Sequence, residues 1–459
     1  MTIIKSYMVP HPPLIIPEIG KGGEDQIKKT TNSYELVAKE ISEIKPDTII
    51  IASPHTSMYS DFFHITKGSK VQGDLSSFGA PQVSFEEQLD EELIDEIESV
   101  SKKYKFPAGR TFEVELDHGT MIPLYFIRKY YNEVKIIVLG LSGLPLIDNY
   151  KMGTIIQKAV NNLNKKVVFV ASGDLSHKLH SYGPYGFAPE GPEYDKRIME
   201  VCSSTNFKEL LNFDESFLDK AAECGHRSFT IMAGTFDGMN VEAVYLSHED
   251  ITGVGYGIIT FTPQEKNKER NFLEEYFTAL EKELNIKKQQ EDEYIKLARL
   301  AIEEYITSGN TIEIPSTIEE ELINNKAGVF VSLHKFGALR GCIGTIFPVR
   351  KCIAEEIIFN AKSASTEDPR FPKIKKEELK WLEINVDILA SPEDIESEEE
   401  LNVKEYGVIV RSGFKSGVLL PDLDGINTVE EQVSIAKKKA GIKPGEPITL
   451  QRFKVTRHR

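Results

Sequence analysis

The sequence predicts an α/β N-terminal domain with a mostly parallel central sheet covered by helices, followed by a smaller α+β C-terminal domain. Three observations predict this arrangement. The 459 residues, 40% of them hydrophobic, are more than one core normally organises. Short β-branched runs alternate with amphipathic helical periods in the first part of the chain. A charged segment then separates that pattern from a different one.

Six runs of apolar and β-branched residues are predicted to form the strands of the first domain. Helical spacing of apolar residues predicts helices over Ser33–Ile44 and Phe85–Val100. Strands that alternate with helices favour a parallel sheet with both faces covered. The predicted strands are Ile3–Val9, Thr48–Ala52, Val134–Leu139, Val167–Ala171, Val241–Leu246 and Tyr256–Phe261.

A charged stretch after Pro263 predicts a solvated helical connector. A second helix follows, in which Ile295, Ala298, Ile302 and Ile306 recur at helical spacing before a stop at Ser308–Gly309. We therefore expect a first domain over 1–265, a connector over 266–290 and a second domain over 291–459. The strands predicted in the second domain are Val329–Ser332, Leu382–Ile388 and Val408–Arg411.

Charge, cysteine content and the lack of long apolar runs indicate the class of partner and the cellular compartment. With 55 basic and 71 acidic side chains the net charge is −16, which repels nucleic acid and anionic membrane surfaces. Four cysteines in a chain rich in apolar residues indicate no disulfide framework. No secretory leader and no apolar run of membrane-spanning length is visible. We expect a cytoplasmic protein without nucleic-acid or membrane partners.

Histidines follow several of the predicted strands. His11, His55 and His177 each come just after one, and His118 lies where a loop enters a predicted helix. Ligands of open α/β sheets bind at the carboxyl ends of strands, so these side chains are expected to converge, as a metal site requires. The alternative for each histidine is a partly buried, hydrogen-bonded residue without a chemical role. No CxxC or HExxH pattern indicates a local zinc site.

Four motifs carry a family resemblance over residues 1–262: VPHPP with His11, ASPHTS with His55, LDHGT with His118 and SGDLSH with His177. They resemble the class III extradiol ring-cleavage dioxygenases, the protocatechuate 4,5-dioxygenase β-subunit-like family, to which the Memo proteins are also similar. The resemblance implies a non-haem Fe(II) bound by two histidines and a glutamate.

The resemblance also implies roles for individual residues. It implies that His11 and His55 bind the metal, and AAECGHRSF offers Glu223 as third ligand, with Cys224 as the alternative because Memo-like proteins place a cysteine near this point. His177 is implied as the acid/base. His118 is implied as a catalytic histidine that hydrogen-bonds bound oxygen or substrate, the alternative being a structural hydrogen bond beside Asp117.

The second domain contains the compact motif LRGCIGT. Its glycines predict a close backbone approach, Arg340 is expected to hold a carboxylate or a loop carbonyl, and Cys342 is interpreted as inert packing. With ASTEDPRFP and WLEINVDILASPE the motif resembles the AMMECR domain. Arg340, Asp368 and Arg370 are the polar residues expected at any site there; the alternative is a structural salt-bridge cluster.

Both halves together resemble the AmmeMemoRadiSam system protein A family, which implies a radical SAM or Memo-like protein partner. The main prediction is a non-haem iron-dependent oxidoreductase, resembling extradiol dioxygenases, that acts on a small phenolic or related substrate. One alternative is a zinc-dependent hydrolase that uses the same pocket. Another is a non-catalytic, Memo-like iron-binding or scaffold protein that works with the radical SAM partner.

Overall fold

The chain folds as two compact units, residues 1–277 and 278–459. The computed structural model describes residues 3–112, 115–423 and 425–459. The division between the units falls inside the connector predicted over 266–290.

The first unit contains ten described strands. Eight of them form one sheet, and β4 and β5 form a separate hairpin. The strands are β1 (Ile3–Val9), β2 (Thr48–Ser53), β3 (Phe63–Ile65), β4 (Lys70–Leu75), β5 (Ala80–Gln88), β6 (Ala108–Arg110), β7 (Lys135–Gly140), β8 (Val167–Ser172), β9 (Met239–Glu249) and β10 (Tyr256–Lys266).

Helices of the first unit cover this sheet and begin at residues that suit a helix start. Asp90, Asp117 and Asp214 each accept a backbone N–H of the first turn of the helix that follows. The helices are α1 (Pro17–Gly20), α2 (Lys28–Ile44), α3 (Glu91–Lys103), α4 (His118–Ile127), α5 (Leu146–Leu163), α6 (Glu190–Ser203), α7 (Glu215–Ala221) and α8 (His226–Gly234).

The large sheet has the strand order β6-β3-β7-β2-β8-β1-β10-β9. Its centre, β7-β2-β8-β1, is parallel, and every residue of β2 and β8 is buried, as expected for a sheet covered on both faces. β10 runs antiparallel to β1, so the first and last strands of this unit lie side by side. The predicted α/β class and parallel centre are confirmed.

The element predictions for this unit are confirmed with one partial error. All six predicted strands are present, and the short strands β3 and β6 and the β4–β5 hairpin were not predicted. The predicted helix Phe85–Val100 is wrong at its start, because Phe85–Gln88 belongs to β5 and pairs with β4. Asp90 then starts α3 by accepting the Leu93 backbone N–H.

The second unit is an α+β domain, as predicted, built on antiparallel strands in the order β12-β11-β13-β17-β15-β16. Helix α9 (Phe272–Gln290) leads into it across the unit boundary. Its strands are β11 (Gly328–Lys335), β12 (Ala338–Gly344), β13 (Leu382–Leu389), β14 (Glu393–Ile395), β15 (Tyr406–Ser412), β16 (Lys415–Leu419) and β17 (Thr449–His458), and its helices are α10 (Glu293–Ser308), α11 (Glu320–Asn324), α12 (Ile353–Thr366) and α13 (Val429–Ala440).

Among the residues that the structure describes, no helix is both long enough and apolar enough to cross a bilayer.

Candidate metal centre

Three histidines meet at the carboxyl-terminal edge of the parallel strands. His11 follows β1, His55 follows β2, and His118 begins α4. Their ligand atoms all lie within 4.8 Å of one another. Of the three histidines predicted to converge after strands, His11 and His55 are in this cluster, and His118 rather than His177 is the third member.

The His11 ring meets the rings of His55 and His118 edge to face, whereas the rings of His55 and His118 are stacked on each other. The Nε2 atoms of His11 and His55 lie 2.9 Å apart, with the two rings at 80°. The His118 ring is stacked on that of His55 at a centroid distance of 4.1 Å. Two nitrogens bound at right angles, about 2.0–2.1 Å from one ion, would be about 2.9 Å apart, so the His11–His55 separation fits a shared cation.

A hydrogen-bond chain fixes which nitrogen of His11 faces the centre. The Ser172 hydroxyl donates to the Gly119 carbonyl at 2.6 Å. Because a hydroxyl has one proton, Ser172 Oγ accepts the Nδ1–H of His11 across their 2.9 Å contact. The Nε2 lone pair of His11 is therefore directed towards His55, the orientation that a metal ligand needs.

Burial keeps the imidazoles neutral. It lowers the pKa of His11 and His55, and it lowers the pKa of His118 and of His177 to about 4, with the neighbouring His55 adding to both of the latter shifts. At neutral pH all four rings therefore keep a lone pair available for a metal ion or a proton.

The residues preceding α8 approach this centre through Cys224 rather than Glu223. Cys224 Sγ lies 3.5 Å from His11 Nε2. A sulfur at about 2.3 Å and a nitrogen at about 2.05 Å from one ion, at a tetrahedral angle, would be separated by about 3.6 Å. Glu223 instead accepts the backbone N–H of His226 at 2.5 Å, at the start of α8. The ligand role predicted for Glu223 stays a prediction, and its carboxylate is not within the histidine cluster.

Glycines allow the close approaches that assemble the centre. A Cβ atom on Gly119 would lie 2.4 Å from Ser53 Oγ, so only glycine lets α4 begin directly against the end of β2. A Cβ atom on Gly173 would lie 2.1 Å from the Cα of Gly225. This backbone contact brings Cys224 next to the chain after β8, where its sulfur accepts the Asp174 N–H at 3.2 Å.

The donor set fits a divalent transition metal. It consists of three neutral imidazoles, one of them oriented by a second hydrogen bond.

Comparison with known proteins agrees with this geometry. Residues 5–259 match the family model described as the catalytic LigB subunit of aromatic ring-opening dioxygenase, and residues 295–458 match AMMECR1. The chain belongs to the LigB family. It carries a C-terminal AMMECR1 domain in addition to its LigB domain.

Relatives share one or both domains. Protein CA_C1420 of Clostridium acetobutylicum is 43% identical over 100% of both chains. A protein of Thermotoga maritima is 47% identical over 171 residues, which cover 37% of this chain and 98% of that protein. The crystal structure of PH0010 from Pyrococcus horikoshii aligns with 36% of this chain and 88% of its own, at 35% identity and a TM-score of 0.34.

His177 and two aromatic side chains border the LigB centre. His177 lies in the irregular segment after β8, with its Nε2 4.0 Å from an Asp174 oxygen. The Tyr185 ring stacks on His177 at 5.0 Å, and Phe78 meets His118 edge-on at 5.1 Å. Burial raises the pKa of Asp174 to about 7, and Asp174 accepts the His11 backbone N–H. Sequence patterns did not single out Phe78 or Ser172.

Four other histidines of the LigB domain have structural partners. His64 contacts Thr111, His226 contacts the Leu210 carbonyl, His180 pairs with Asp250, and His248 pairs with Asp195.

Two ion pairs are formed around the LRGCIGT motif of the AMMECR1 domain. Arg340 binds the Glu378 carboxylate through two nitrogens, each at 3.1 Å, and donates to the Pro372 carbonyl, which matches the expected role. Asp368 pairs with Arg370 and accepts the Cys342 backbone N–H at 2.9 Å. Arg340 and Arg370 thus hold different carboxylates.

Proposed function

We propose that the LigB domain is a non-haem iron-dependent oxidoreductase that acts on a small phenolic or related substrate. The observation that carries this proposal is the convergence of His11, His55 and His118, all neutral, within 4.8 Å. The proposed ligands are these three histidines, with Cys224 beside them. The proposal replaces the predicted ligand Glu223 by His118, because the Glu223 carboxylate is hydrogen-bonded at the start of α8.

Proton transfer is assigned to His177. Its lowered pKa keeps the ring unprotonated at neutral pH, so its lone pair is available to a phenolic hydroxyl, whose proton it would take once a bound metal ion had lowered the pKa of that hydroxyl. Asp174, 4.0 Å from His177, is placed to orient the ring and to stabilise the imidazolium that forms. Bound iron(II) would supply the redox chemistry that allows dioxygen to react with an electron-rich ring.

Aromatic side chains favour a planar substrate. Tyr185 is 60% exposed although it is stacked on His177, and Phe78 is 37% exposed beside His118. Rings that border a polar centre in this way can stack on an aromatic substrate and shield it from water. This arrangement supports a phenol more than an aliphatic substrate.

The test measures metal content and oxygen uptake together. The protein is purified without oxygen, its metals are quantified, and oxygen consumption is followed with a panel of catechols. Wild type is expected to contain iron and to consume oxygen with at least one catechol, and the His11→Ala, His55→Ala double variant is expected to lose both. His180→Ala, which changes a histidine paired with Asp250, is the matched control. Metal retained by a correctly folded double variant would contradict the ligand assignment.

The thiol beside His11 favours one alternative, a zinc-dependent hydrolase. Zinc binds mixed histidine and cysteine sets, and Cys224 Sγ is 3.5 Å from His11 Nε2. In that case the same purification yields zinc, and a panel of esters and amides is hydrolysed without oxygen uptake. Iron without turnover of any phenol, together with a co-purifying radical SAM protein, would support the non-catalytic alternative.

A further inference from the structure

A cavity of about 1180 Å³ lies against one face of the antiparallel sheet in the second unit. Residues of β11 alternate between the core and this cavity. Val329, Val331 and Leu333 are fully buried in the core, whereas Phe330, Ser332 and His334, on the opposite face, line the cavity. A sheet face that is covered only in part, and that carries polar residues, is typical of a ligand site.

A row of polar side chains crosses the floor of this cavity. Cys342, Ser332 and Asn385 are register neighbours on β12, β11 and β13. The Ser332 hydroxyl donates to Cys342 Sγ at 3.2 Å. The Asn385 carboxamide and the His334 imidazole line the cavity without a hydrogen bond to any described side chain or backbone group. Half-buried polar groups without a protein partner can be satisfied by a bound polar ligand.

The cavity wall is basic although the whole chain carries a charge of −16. The Arg370 guanidinium donates to the Cys342 carbonyl at 3.1 Å, and its side chain is 56% exposed. Lys439 and Arg459 also line the wall and have no ion pair with another described residue. Basic side chains outnumber acidic ones around the cavity, so its field attracts anions.

The glycines of LRGCIGT hold this floor in place. A Cβ atom on Gly341 would lie 2.2 Å from the Ala364 carbonyl of α12, and one on Gly344 would lie 2.2 Å from the Phe330 ring. Glycine at these positions therefore lets β12 lie against α12 and lets Phe330 pack across the strand. The motif thereby positions Cys342 and Phe330 in the cavity.

We propose that this cavity binds a small organic anion that carries a carboxylate or phosphate group. Arg370 binds the oxyanion, Asn385 and His334 hydrogen-bond the remaining polar groups, and Cys342 lies at the floor beside the ligand. The interpretation of Cys342 as inert packing is thereby replaced. Every residue of this site belongs to the second unit, so the proposal does not depend on the metal centre.

The test compares an anionic and a neutral probe of similar size on the full-length protein. Cys342 is alkylated with iodoacetate or with iodoacetamide, and peptide mass spectrometry quantifies the modification at this cysteine alone. In both reactions a carbon–sulfur bond forms, iodide leaves with its electron pair, and the thiol proton passes to the buffer. The iodoacetate-to-iodoacetamide rate ratio is expected to be about three- to tenfold higher in the folded protein than in urea, and to fall as salt is added.

Variants of the basic residues test whether they cause the preference of Cys342 for iodoacetate. Arg370→Gln is expected to lower the rate ratio to nearly the unfolded value. Because Arg370 also holds Asp368, Lys439→Gln provides a second variant that leaves this pair intact and is expected to lower the ratio partially. Lys351→Gln, an exposed lysine outside the cavity, is the matched control and is expected to leave the ratio unchanged.

Competition separates the two kinds of ligand. Protection of Cys342 by inorganic phosphate indicates a phosphate ligand, and protection by malonate indicates a carboxylate ligand. Equal charge preference in folded and unfolded protein, with protection by neither anion, would overturn the proposal. A Cys342 that reacts with neither probe in the folded protein would overturn it as well, because the cavity would then be closed to small solutes.

Discussion

The candidate metal centre of the LigB domain and the LRGCIGT region of the AMMECR1 domain hold their ionisable side chains in opposite charge states. In the LigB domain burial keeps His118 and His177 neutral, with pKa values of about 4, and raises the pKa of Asp174 to about 7. In the AMMECR1 domain burial would raise the pKa of Glu378, but hydrogen bonds from Arg340 and Lys335 outweigh it and lower the pKa to about 2. Nearby partners, rather than residue type, decide which group is charged.

This difference indicates what each region is suited to do. Neutral imidazoles that face one another have lone pairs to share with a metal ion. A carboxylate already held by arginine and lysine has little capacity left for chemistry and mainly stabilises the fold. Variants of the candidate metal centre and of Glu378 can test this difference.

The largest expected effect concerns the thiol that lies beside His11 in the candidate metal centre. Cys224→Ser should weaken metal binding by more than about 100-fold, because the sulfur beside His11 is lost. Glu223→Gln should change metal affinity less than about threefold, since a glutamine oxygen can still accept the His226 N–H. Competition with a chelator measures both affinities. The reverse order would contradict a role for Cys224 and would support Glu223 as a ligand.

A smaller loss of metal affinity should follow from removing the partner of the His11 ring. Ser172→Ala deletes the acceptor of the His11 Nδ1–H and should weaken metal binding about 10- to 100-fold. Ser247→Ala is the matched control, because this buried serine of the same sheet has a hydroxyl without a described partner. The same chelator competition applies, and equal affinities in the two variants would show that the ring orientation does not depend on Ser172.

Acid should lower the stability of the AMMECR1 domain, because it protonates the Glu378 carboxylate. The pKa of Glu378 is about 2 in the folded protein, below its usual 4.5, so its stabilisation is full above about pH 4.5 and is lost as the pH falls towards 2. Glu378→Gln should lower the free energy of unfolding at pH 7 by about 2–3 kcal/mol and flatten the acid dependence.

Urea unfolding followed by fluorescence measures this effect locally. The only tryptophan of the chain, Trp381, ends the short 3-10 helix Lys376–Trp381 that contains Glu378. Glu377→Gln, which changes an exposed neighbour, is the control. An unchanged acid dependence in Glu378→Gln would assign the acid sensitivity of this unit to other groups.

The smallest expected effect concerns the aromatic border of the metal centre. Tyr185→Ala should raise KM for a phenolic substrate about three- to tenfold with little change in kcat, because a stacking contact is worth about 0.5–1.5 kcal/mol. Tyr185→Phe should retain the wild-type KM. Tyr182→Ala is the control, since Tyr182 stacks on His180 instead. Steady-state kinetics with a catechol from the panel that supports oxygen uptake distinguishes these outcomes.

The sequence predicts the positions of His11 and His55 well, because the ends of buried parallel strands are readable from apolar runs such as TIIIAS. It does not decide between Glu223 and Cys224. Neighbouring residues in a tight turn point in different directions, and that turn is fixed by contact between Gly173 and Gly225, which are far apart in sequence. The role of Ser172 is hidden for a similar reason, since its hydrogen bonds join three separate segments.

The fold was predictable to a similar extent. Long apolar runs identified the central strands, whereas β3 and β6, with three residues each, have too few positions to show a period. The error at Phe85–Gln88 arises because a hairpin strand leads directly into α3, so that Phe85, Leu89 and Leu93 happen to follow helical spacing.

The antiparallel pairing of β1 with β10 gives the LigB domain an engineering property. Ser6 lies opposite Phe261, so the chain enters and leaves this domain at neighbouring points on its surface. A short glycine-rich linker could join these two points, and new termini could then be opened in an exposed loop elsewhere. The elements that carry His11, His55 and His118 would stay in place in such a circular permutant, and the AMMECR1 domain could be removed without cutting through the sheet.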